Sequence, residues 1–296
     1  MENDIKIGTM VSAKDMGGYI RQILPYGFES FSLSFWKTLG DADLEKTAVQ
    51  VNETLAGSGA VVSSLSVFGN LLESDEEAET ARKSFRQAIA AAPAFGASAV
   101  TGFTGRVRGK SIPGNIDRFR EVWSPLAEYA ASLNVKIAWE NCSMGGNWSS
   151  GDWNIAHNPD AWELMFAALP AENCGLQWEP CHQLVQLIDP LPQIREWGKK
   201  MFLIHGKDAT VRHDIIRRHG INGCEPFVWH RSPGFGDTNW SDLITELRLA
   251  GFKGSIDIEG WHDPVYRGDL EMTGQVHALN YLKRCRGGDF VPNPQA

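Results

Sequence analysis

Val135-Lys-Ile-Ala-Trp-Glu140-Asn141 is a short, mostly apolar stretch that ends on polar side chains. Three later stretches have the same form: Leu176-Gln-Trp-Glu179, Met201-Phe-Leu-Ile-His205 and Ser255-Ile-Asp-Ile-Glu259. Short apolar stretches of this kind are typical of buried parallel strands. In a (β/α)8 barrel, the C-terminal ends of the strands form the active face. The four stretches therefore predict that their terminal carboxylates and imidazole meet at one point on that face.

The remainder of the chain predicts eight alternations of strand and helix. Predicted strands begin at Ile5, Phe28, Ala60, Ala97, Val135, Cys174, Met201 and Lys253. Predicted helices cover residues 14–26, 41–56, 74–92, 115–133, 159–169, 191–199, 240–250 and 269–284. Ser74-Asp-Glu-Glu77 predicts a capping box, with Ser74 as the N-cap of the third helix. Eight alternations predict an α/β fold, a single (β/α)8 TIM barrel.

The length of the chain and of its connections predicts the domain organisation. With 296 residues and 43% hydrophobic content, the chain can bury one large core. We expect one barrel over residues 1–286, followed by a Pro- and Gly-containing surface tail at 287–296. Two loops, 143–157 and 209–239, are longer than ordinary connections and emerge on the active face. The second loop has a helix-like pattern near 211–218.

Charge and cysteine content exclude several classes of protein. The formal charge of -8 opposes binding to phosphodiester backbones, so we expect no nucleic-acid partner. The five cysteines are odd in number and lack a close pair, which indicates a reduced, cytoplasmic protein. The sequence Met1-Glu-Asn-Asp-Ile5 lacks the features of a signal peptide, and no apolar stretch approaches the roughly 20 residues that span a membrane.

The residue types at the strand ends predict a cation. Three carboxylates and one imidazole at a single point need compensating positive charge. This set, Glu140, Glu179, His205 and Glu259, is rich in oxygen and contains one nitrogen. Such ligands suit Mn²⁺, Mg²⁺ or Co²⁺ better than a structural zinc, and we expect one divalent ion with Mn²⁺ as the first choice. The alternatives are a hydrogen-bonded polar plug in the barrel or solvated residues at its rim.

This arrangement predicts a reaction class. A divalent ion beside two neighbouring oxygens of a hydroxy-ketone stabilises an enediolate, and a carboxylate can remove the proton α to the carbonyl. Glu140 and Glu259 can lie on opposite faces of the substrate, so one removes the proton and the other returns it. The result is isomerisation or epimerisation. If a leaving group is β to the carbonyl, the same removal of the α proton leads to elimination.

Further polar residues near the strand ends are candidates for contact with substrate. His182 follows Glu179 by three residues and could bind a hydroxyl or act as an acid, or it could be a capping histidine. Lys207 could orient substrate oxygens, although an ion pair with Asp208 is the slightly favoured alternative. Arg231 and His230 in loop 209–239 could close over the substrate or be exposed.

Aromatic side chains accumulate at the same ends. Trp36 and Trp261 come just after predicted strands, where an indole ring can stack on the apolar face of a sugar. Core packing is the alternative for each aromatic residue. The 11 tryptophans fit a carbohydrate site without requiring one.

The chain resembles the xylose isomerase-like TIM-barrel superfamily of sugar isomerases and epimerases, which includes ketose 3-epimerases and inosose dehydratase. Three motifs are similar: Glu179-Pro-Cys-His182, His205-Gly-Lys-Asp208 and Pro233-Gly-Phe-Gly236. The resemblance implies that Glu140, Glu179, His205 and Glu259 bind Mn²⁺, Mg²⁺ or Co²⁺, and that the first and last of these are the acid/base pair. Glu179 departs from the family pattern, since aspartate is usual there.

We therefore expect a divalent-metal-dependent sugar isomerase or epimerase. The resemblance also covers lyases related to C-glycoside deglycosidases, so β-elimination from C- or O-linked 3-keto-glycosides is the second hypothesis. A third is a non-catalytic, metal-stabilised sugar-binding subunit of a complex. The expected partner is a small sugar or glycoside. The sequence leaves open a homo-oligomer or a partner subunit, and its acidic charge and few histidines oppose the multi-zinc apurinic endonucleases of the superfamily.

Overall fold

The computed structural model describes residues 4–12 and 14–294. The barrel strands are β1 (Lys6–Val11), β2 (Ser30–Ser34), β3 (Val61–Ser66), β4 (Ala99–Gly102), β5 (Lys136–Glu140), β6 (Cys174–Trp178), β7 (Met201–Gly206) and β10 (Ser255–Ile258). These eight parallel strands close into a barrel in the order β1-β10-β7-β6-β5-β4-β3-β2, and β1 pairs with β2. Each begins no more than two residues after its predicted start. The structure confirms the predicted (β/α)8 barrel.

Ten α-helices surround or connect the strands in the described part of the chain. They are α1 (Met16–Ile23), α2 (Leu44–Leu55), α3 (Glu76–Ala91), α4 (Ile116–Ser132), α5 (Pro159–Ala168), α6 (Pro180–Leu184), α7 (Pro190–Trp197), α8 (His213–His219), α9 (Trp240–Leu249) and α10 (Glu271–Arg286). Among these described helices, none is long and apolar enough to cross a membrane. The predicted capping box at Ser74 is wrong by one residue, because Asp75 is the N-cap and accepts from the amide of Ala78.

The connection after β7 is more ordered than the predicted loop 209–239. It forms a two-stranded antiparallel ribbon of β8 (Asp208–Val211) and β9 (Val228–Arg231), with α8 between the strands. Helix α6 was not predicted and follows β6 directly. Residues 287–294 form no helix or strand. Residues 1–3 of the expected domain and 295–296 of the expected tail lie outside the described part of the chain.

Tryptophans fill much of the space between barrel and helices. Trp123 and Trp139 are fully buried and meet edge to face, with ring centroids 5.2 Å apart. Phe85 packs in the same way on Trp123 at 5.0 Å. Large aromatic rings bury much apolar surface, and their edge-to-face contacts add to it. A large share of the tryptophan content therefore stabilises the core and does not bind ligand.

A buried ion pair connects the N-terminal face of the barrel to the last helix. Glu29, just before β2, accepts hydrogen bonds from the amide of Ile7 at 2.9 Å and from Arg286 Nη1 at 2.5 Å. Lys283 Nζ lies 3.4 Å from the same carboxylate. Burial alone would raise the pKa of Glu29, but the hydrogen bonds from Arg286 and Ile7 outweigh it and lower the pKa. The ion pair therefore joins the first strands to the end of α10.

We predict that Glu29→Gln lowers the free energy of unfolding at pH 7 by about 2 kcal/mol, because Arg286 loses its charged partner. Since the pKa of Glu29 is lower in the folded state, its contribution exists above the unfolded pKa and disappears as the pH falls through the folded pKa. Urea unfolding between pH 7 and pH 3 should show the two proteins converging. As a control, Glu246→Gln removes the partner of the exposed Arg195 and should cost less than Glu29→Gln. Equal losses in both variants would contradict this role of Glu29.

Candidate metal and acid–base site

The C-terminal end of the barrel brings the four predicted ligands together. Glu140 ends β5, Glu179 follows β6, His205 lies in β7, and Glu259 follows β10. All four are buried. His205 Nδ1 lies 3.5 Å from Glu140 Oε2 and 3.4 Å from Glu259 Oε2. Glu140, Glu179 and His205 each offer one ligand atom, and these three atoms lie within 4.8 Å of one another. Glu259 is not part of this group of three but contacts it through His205.

These residues leave several buried polar atoms without a hydrogen-bond partner. Both ring nitrogens of His205, Oε1 of Glu179 and Oε2 of Glu259 have none within the described residues. Buried polar atoms are almost always paired, so each such atom needs an explanation. A cation between them would pair with the oxygens and with one imidazole nitrogen. The donor set fits a divalent ion that prefers oxygen ligands.

Lys207 supplies positive charge inside the cluster. Its Nζ lies 3.0 Å from Glu259 Oε1 and 3.9 Å from Glu179 Oε2. Burial would lower the pKa of Lys207, but the two carboxylates raise it well above its usual value. The expected pair between Lys207 and Asp208 is wrong, because Asp208 instead accepts from Thr238 and Trp240.

The carboxylates of the cluster differ in proton affinity. Burial, together with repulsion from Glu179 and Glu259, raises the pKa of Glu140 well above its usual value. Burial would raise the pKa of Glu259 as well, but Lys207 and His205 keep it well below normal. For Glu179, burial is outweighed by His182 and Lys207, which lower its pKa to about 2. Without a bound cation, the cluster therefore places a proton on Glu140 first.

Three histidines surround the cavity side of the cluster. His182 lies in α6 and not at a strand end, and its Nε2 is 2.6 Å from Glu179 Oε1 without hydrogen-bond alignment. His230 of β9 packs against it, with ring centroids 5.4 Å apart. Burial, followed by the charges of Lys207 and His182, lowers the pKa of His230 to about 4. His262 Nε2 lies 2.8 Å from Glu259 Oε1.

Sequence reasoning did not identify His262 as a site residue. Glu259-Gly-Trp-His262 nevertheless repeats the carboxylate-to-histidine spacing of Glu179-Pro-Cys-His182, and this repetition could have revealed it. Arg231 was a candidate for substrate contact. The structure pairs its Nε with Asp263 Oδ2 at 3.0 Å, and His230, not Arg231, lines the cavity. Consecutive strand residues point to opposite sides, so β9 can direct only one of His230 and Arg231 into the cavity.

A cavity of about 750 Å³ opens above the cluster. It is lined by Met10, Ser12, Tyr19, Ser34, Trp36, Phe68, Phe103, Glu140, Cys142, Met144, His182, Lys207, His230, Glu259, Trp261, His262, Glu271 and Gln275. Trp36 and Trp261, both predicted for sugar stacking, are 52% and 36% exposed. Their φ angles of 47° and 31° are unfavourable for tryptophan. Strained residues of this kind cluster at ligand sites.

The long loop 143–157 is fixed to the barrel by polar side chains. Asn154 is buried, and its Nδ2 donates to the carbonyl of Glu140 at 2.8 Å and to that of Cys142 at 2.7 Å. Arg106 is also buried, and it donates to the carbonyl of Asn147 at 2.8 Å. These bonds determine the path of the chain on leaving β5. They therefore help to position Glu140 itself.

The fold and the site define the class of protein, and comparison with known proteins gives the family. The family model for xylose isomerase-like TIM barrels matches residues 20–285, so the chain belongs to that family. No curated protein sequence matches the chain.

Solved structures share the fold at low sequence identity. A xylose isomerase domain protein from Planctomyces limnophilus is 15% identical with a TM-score of 0.72, covering 97% of this chain and 99% of that one. A 3-keto-D-glucoside 4-epimerase from E. coli is 15% identical with a TM-score of 0.71, covering 95% and 100%. An L-ribulose 3-epimerase is 16% identical with a TM-score of 0.66, covering 96% and 92%. Sugar epimerases are thus among the proteins with this architecture.

We predict that Asn154→Asp lowers the free energy of unfolding by about 3 kcal/mol, since two buried carbonyls lose their donor and a buried charge is added near Glu140. Hydrogen exchange should increase over residues 141–153 in particular. Asn52→Asp is the matched control, because Asn52 donates to a single exposed carbonyl, that of Ala94. It should cost less than about 1 kcal/mol. Unchanged exchange over residues 141–153 would show that Asn154 does not fix the loop.

Proposed function

We propose that the protein is a divalent-metal-dependent sugar isomerase or epimerase that removes a proton from the carbon α to a sugar carbonyl. One observation supports this most directly: Glu140 and Glu259 both lie within 3.5 Å of the same nitrogen of His205. They come from β5 and β10, which are separated in the barrel by β6 and β7, and both line the cavity. A substrate between the two carboxylates would face one on each side.

Each residue of the cluster has a proposed role. Glu140, Glu179, His205 and Glu259 are the proposed ligands of one Mn²⁺, for which Mg²⁺ or Co²⁺ could substitute. When bound, such an ion supplies positive charge next to the substrate oxygens. Glu140 and Glu259 exchange the proton with the substrate carbon, and Lys207 keeps Glu259 ionised for this task.

The remaining cavity residues suit a sugar. Trp36 and Trp261 offer exposed indole faces at the mouth for stacking on a pyranose ring. His182, His230 and His262 present ring nitrogens beside the reacting carboxylates and can bind hydroxyl groups. Arg231 stays a proposed contact only in a state in which it leaves Asp263.

A second candidate is a lyase that cleaves 3-keto-glycosides by β-elimination. The size of the cavity favours it, because about 750 Å³ is in the range that encloses drug-sized ligands and exceeds the need of one small sugar. His182 is then the proposed acid that protonates the departing oxygen or carbon. The E. coli neighbour acts on a 3-keto-D-glucoside by name, which makes this class of substrate worth testing first.

Incubation in D₂O with Mn²⁺ tests both candidates, because each begins by removing a proton from the carbon α to the carbonyl. Epimerase or isomerase action should place deuterium in the recovered sugar, whereas a lyase should release aglycone from a 3-keto-glycoside. We expect Glu140→Gln and Glu259→Gln to lower either rate by about 10²–10⁴-fold, since Gln cannot exchange the proton. Mass spectrometry of the product and circular dichroism of the variants provide the measurements.

Glu172→Gln is the control for these variants. Glu172 is exposed and lies before β6, at the opposite end of the barrel, and its removal should leave the rate unchanged. If neither exchange nor release occurs over a broad panel of ketosugars and 3-keto-glycosides, the enzyme proposal fails. Sugar affinity retained in that case would indicate a binding subunit instead.

We predict that the protein freed of metal by chelation binds one equivalent of Mn²⁺, as measured by calorimetry or electron paramagnetic resonance. His205→Asn should weaken binding by at least about 100-fold, because even residues behind metal ligands contribute 10–100-fold. His157→Asn is a matched control, since His157 is buried but belongs to the loop after β5 and pairs with Gln186. Binding unaffected by His205→Asn, or activity that persists without metal, would contradict the proposed site.

A further inference from the structure

The cavity extends far beyond the proposed metal and acid–base site. Glu140 lies on β5, which is four strands away from β1 in either direction around the closed barrel. The cavity nevertheless reaches the β1 side, where Tyr19 of α1 and Glu271 and Gln275 of α10 line it. The cavity volume of about 750 Å³ exceeds the need of one sugar ring, so a ring at Glu140 and Glu259 leaves room for another group towards Tyr19 and Glu271.

A buried hydrogen-bond chain supports Glu271 at that opposite end. Thr9 and Gln275 are 0% and 2% exposed. Thr9 Oγ1 donates to Gln275 Oε1 at 2.5 Å, and Gln275 Nε2 donates to Glu271 Oε1 at 3.0 Å. The amide must have this orientation, because the reverse would point its oxygen at the carboxylate. The chain thereby fixes the position of the Glu271 carboxylate.

The close approach of Gly260 shows how tightly Gln275 is packed. A Cβ atom at residue 260 would lie 2.8 Å from Gln275 Nε2 and would displace the amide. Gly260 directly follows Glu259, so the strand end that supplies one proposed catalytic carboxylate also makes room for the support of Glu271. The support of Glu271 therefore lies directly next to the strand end that carries Glu259.

Glu271 has acceptor capacity that the protein itself does not use. Only its Oε1 takes part in the bond from Gln275, and no ion pair to Glu271 occurs within residues 4–12 and 14–294. Tyr19 lies close enough that burial and the charge of Glu271 together raise its pKa. Carboxylate oxygens accept hydrogen bonds from hydroxyl groups, and such bonds are stronger than those between neutral groups.

Aromatic rings flank the same end. Trp36 follows β2 and Trp261 follows β10, and these strands are the two neighbours of β1 in the barrel. Both indoles are partly exposed at the cavity mouth despite an unfavourable backbone conformation. Within one cavity, a carboxylate for hydroxyls and exposed indole faces are the combination that binds the edges and the faces of sugar rings.

We propose that Glu271, supported by Gln275 and Thr9, forms a distal subsite for a second hydroxylated ring, so that the substrate is a glycoside of two sugar units. This inference rests on the proposed function for the location of the first ring. Glu271 binds hydroxyls of the second ring, and Gln275 is a positioning residue that acts through Glu271. Selectivity for two rings over one then depends on a residue that takes no part in proton transfer.

Binding to the full-length, Mn²⁺-loaded protein tests the subsite, with cellobiose and D-glucose as probes in calorimetry. We expect cellobiose to bind at least about 10-fold tighter than D-glucose, and Glu271→Gln to reduce this ratio at least about fivefold, in line with the loss of one charged hydrogen bond. Glu271→Asp, which withdraws the carboxylate, should also reduce the ratio of the two affinities. This variant replaces Glu271→Gln in the test if Glu271→Gln does not fold. Gln275→Leu should have the same effect on the ratio.

Glu45→Gln is the matched control, since Glu45 is an exposed glutamate in the first turn of α2. It should leave the ratio unchanged. Equal affinity for the two sugars, or a ratio insensitive to Glu271, overturns the subsite. A Glu271-dependent preference for D-glucosamine over D-glucose overturns the assignment to hydroxyl groups and indicates a cationic ligand.

The proposed function and the distal subsite can fail separately in these experiments. Binding of cellobiose that depends on Glu271, in a protein that exchanges no deuterium into any sugar, would refute the chemistry and retain the subsite. Deuterium exchange into a single sugar, without any preference for cellobiose, would retain the chemistry and refute the subsite.

Discussion

The burial of three carboxylates around one imidazole is the constraint on which the rest of the site depends. Two unit charges about 4 Å apart interact by about 4 kcal/mol at an effective dielectric constant of 20. Glu140, Glu179 and Glu259 share one buried ammonium, that of Lys207, which approaches two of them. One cation cannot neutralise three carboxylates. Protonation of two carboxylates or a bound divalent ion must balance the remaining two negative charges, and the unpaired nitrogens of His205 favour the ion.

The closed parallel barrel makes this concentration of charge possible. Every barrel strand runs in the same direction, so all strand ends converge on one face and the side chains there need no long loops to meet. The same geometry separates the two ends of the cavity. Strands β5, β6, β7 and β10 supply the charged groups, whereas Met10, Phe68 and Phe103 at the ends of β1, β3 and β4 form a separate apolar cluster. The cavity therefore has one charged end and one mostly apolar end.

Local sequence predicted the barrel correctly, and it also placed the proposed ligands at the strand ends. A short apolar stretch that ends on a carboxylate indicates both the strand and the proposed ligand within a few residues, as β5 and Glu140 do. What depends on distant contacts could not be predicted. The choice of His230 over Arg231 depends on how the ribbon of β8 and β9 lies on α6, and Lys207 pairs with Glu259, which is 52 residues away. Glu271 begins α10 and does not follow a strand, so the pattern of strand ends gave no sign of it.

The departure of Glu179 from the family pattern has a physical consequence in this structure. Its carboxylate reaches two groups at once, since Oε1 lies 2.6 Å from His182 Nε2 and Oε2 accepts from the thiol of Cys181 at 3.5 Å. An aspartate would withdraw both oxygens by about 1.5 Å, one carbon–carbon bond. Because the backbone of Glu179 is fixed by Asn141 on both its amide and its carbonyl, the main chain cannot advance to compensate. The longer side chain thus couples the cluster to His182, and it makes α6 part of the cavity wall.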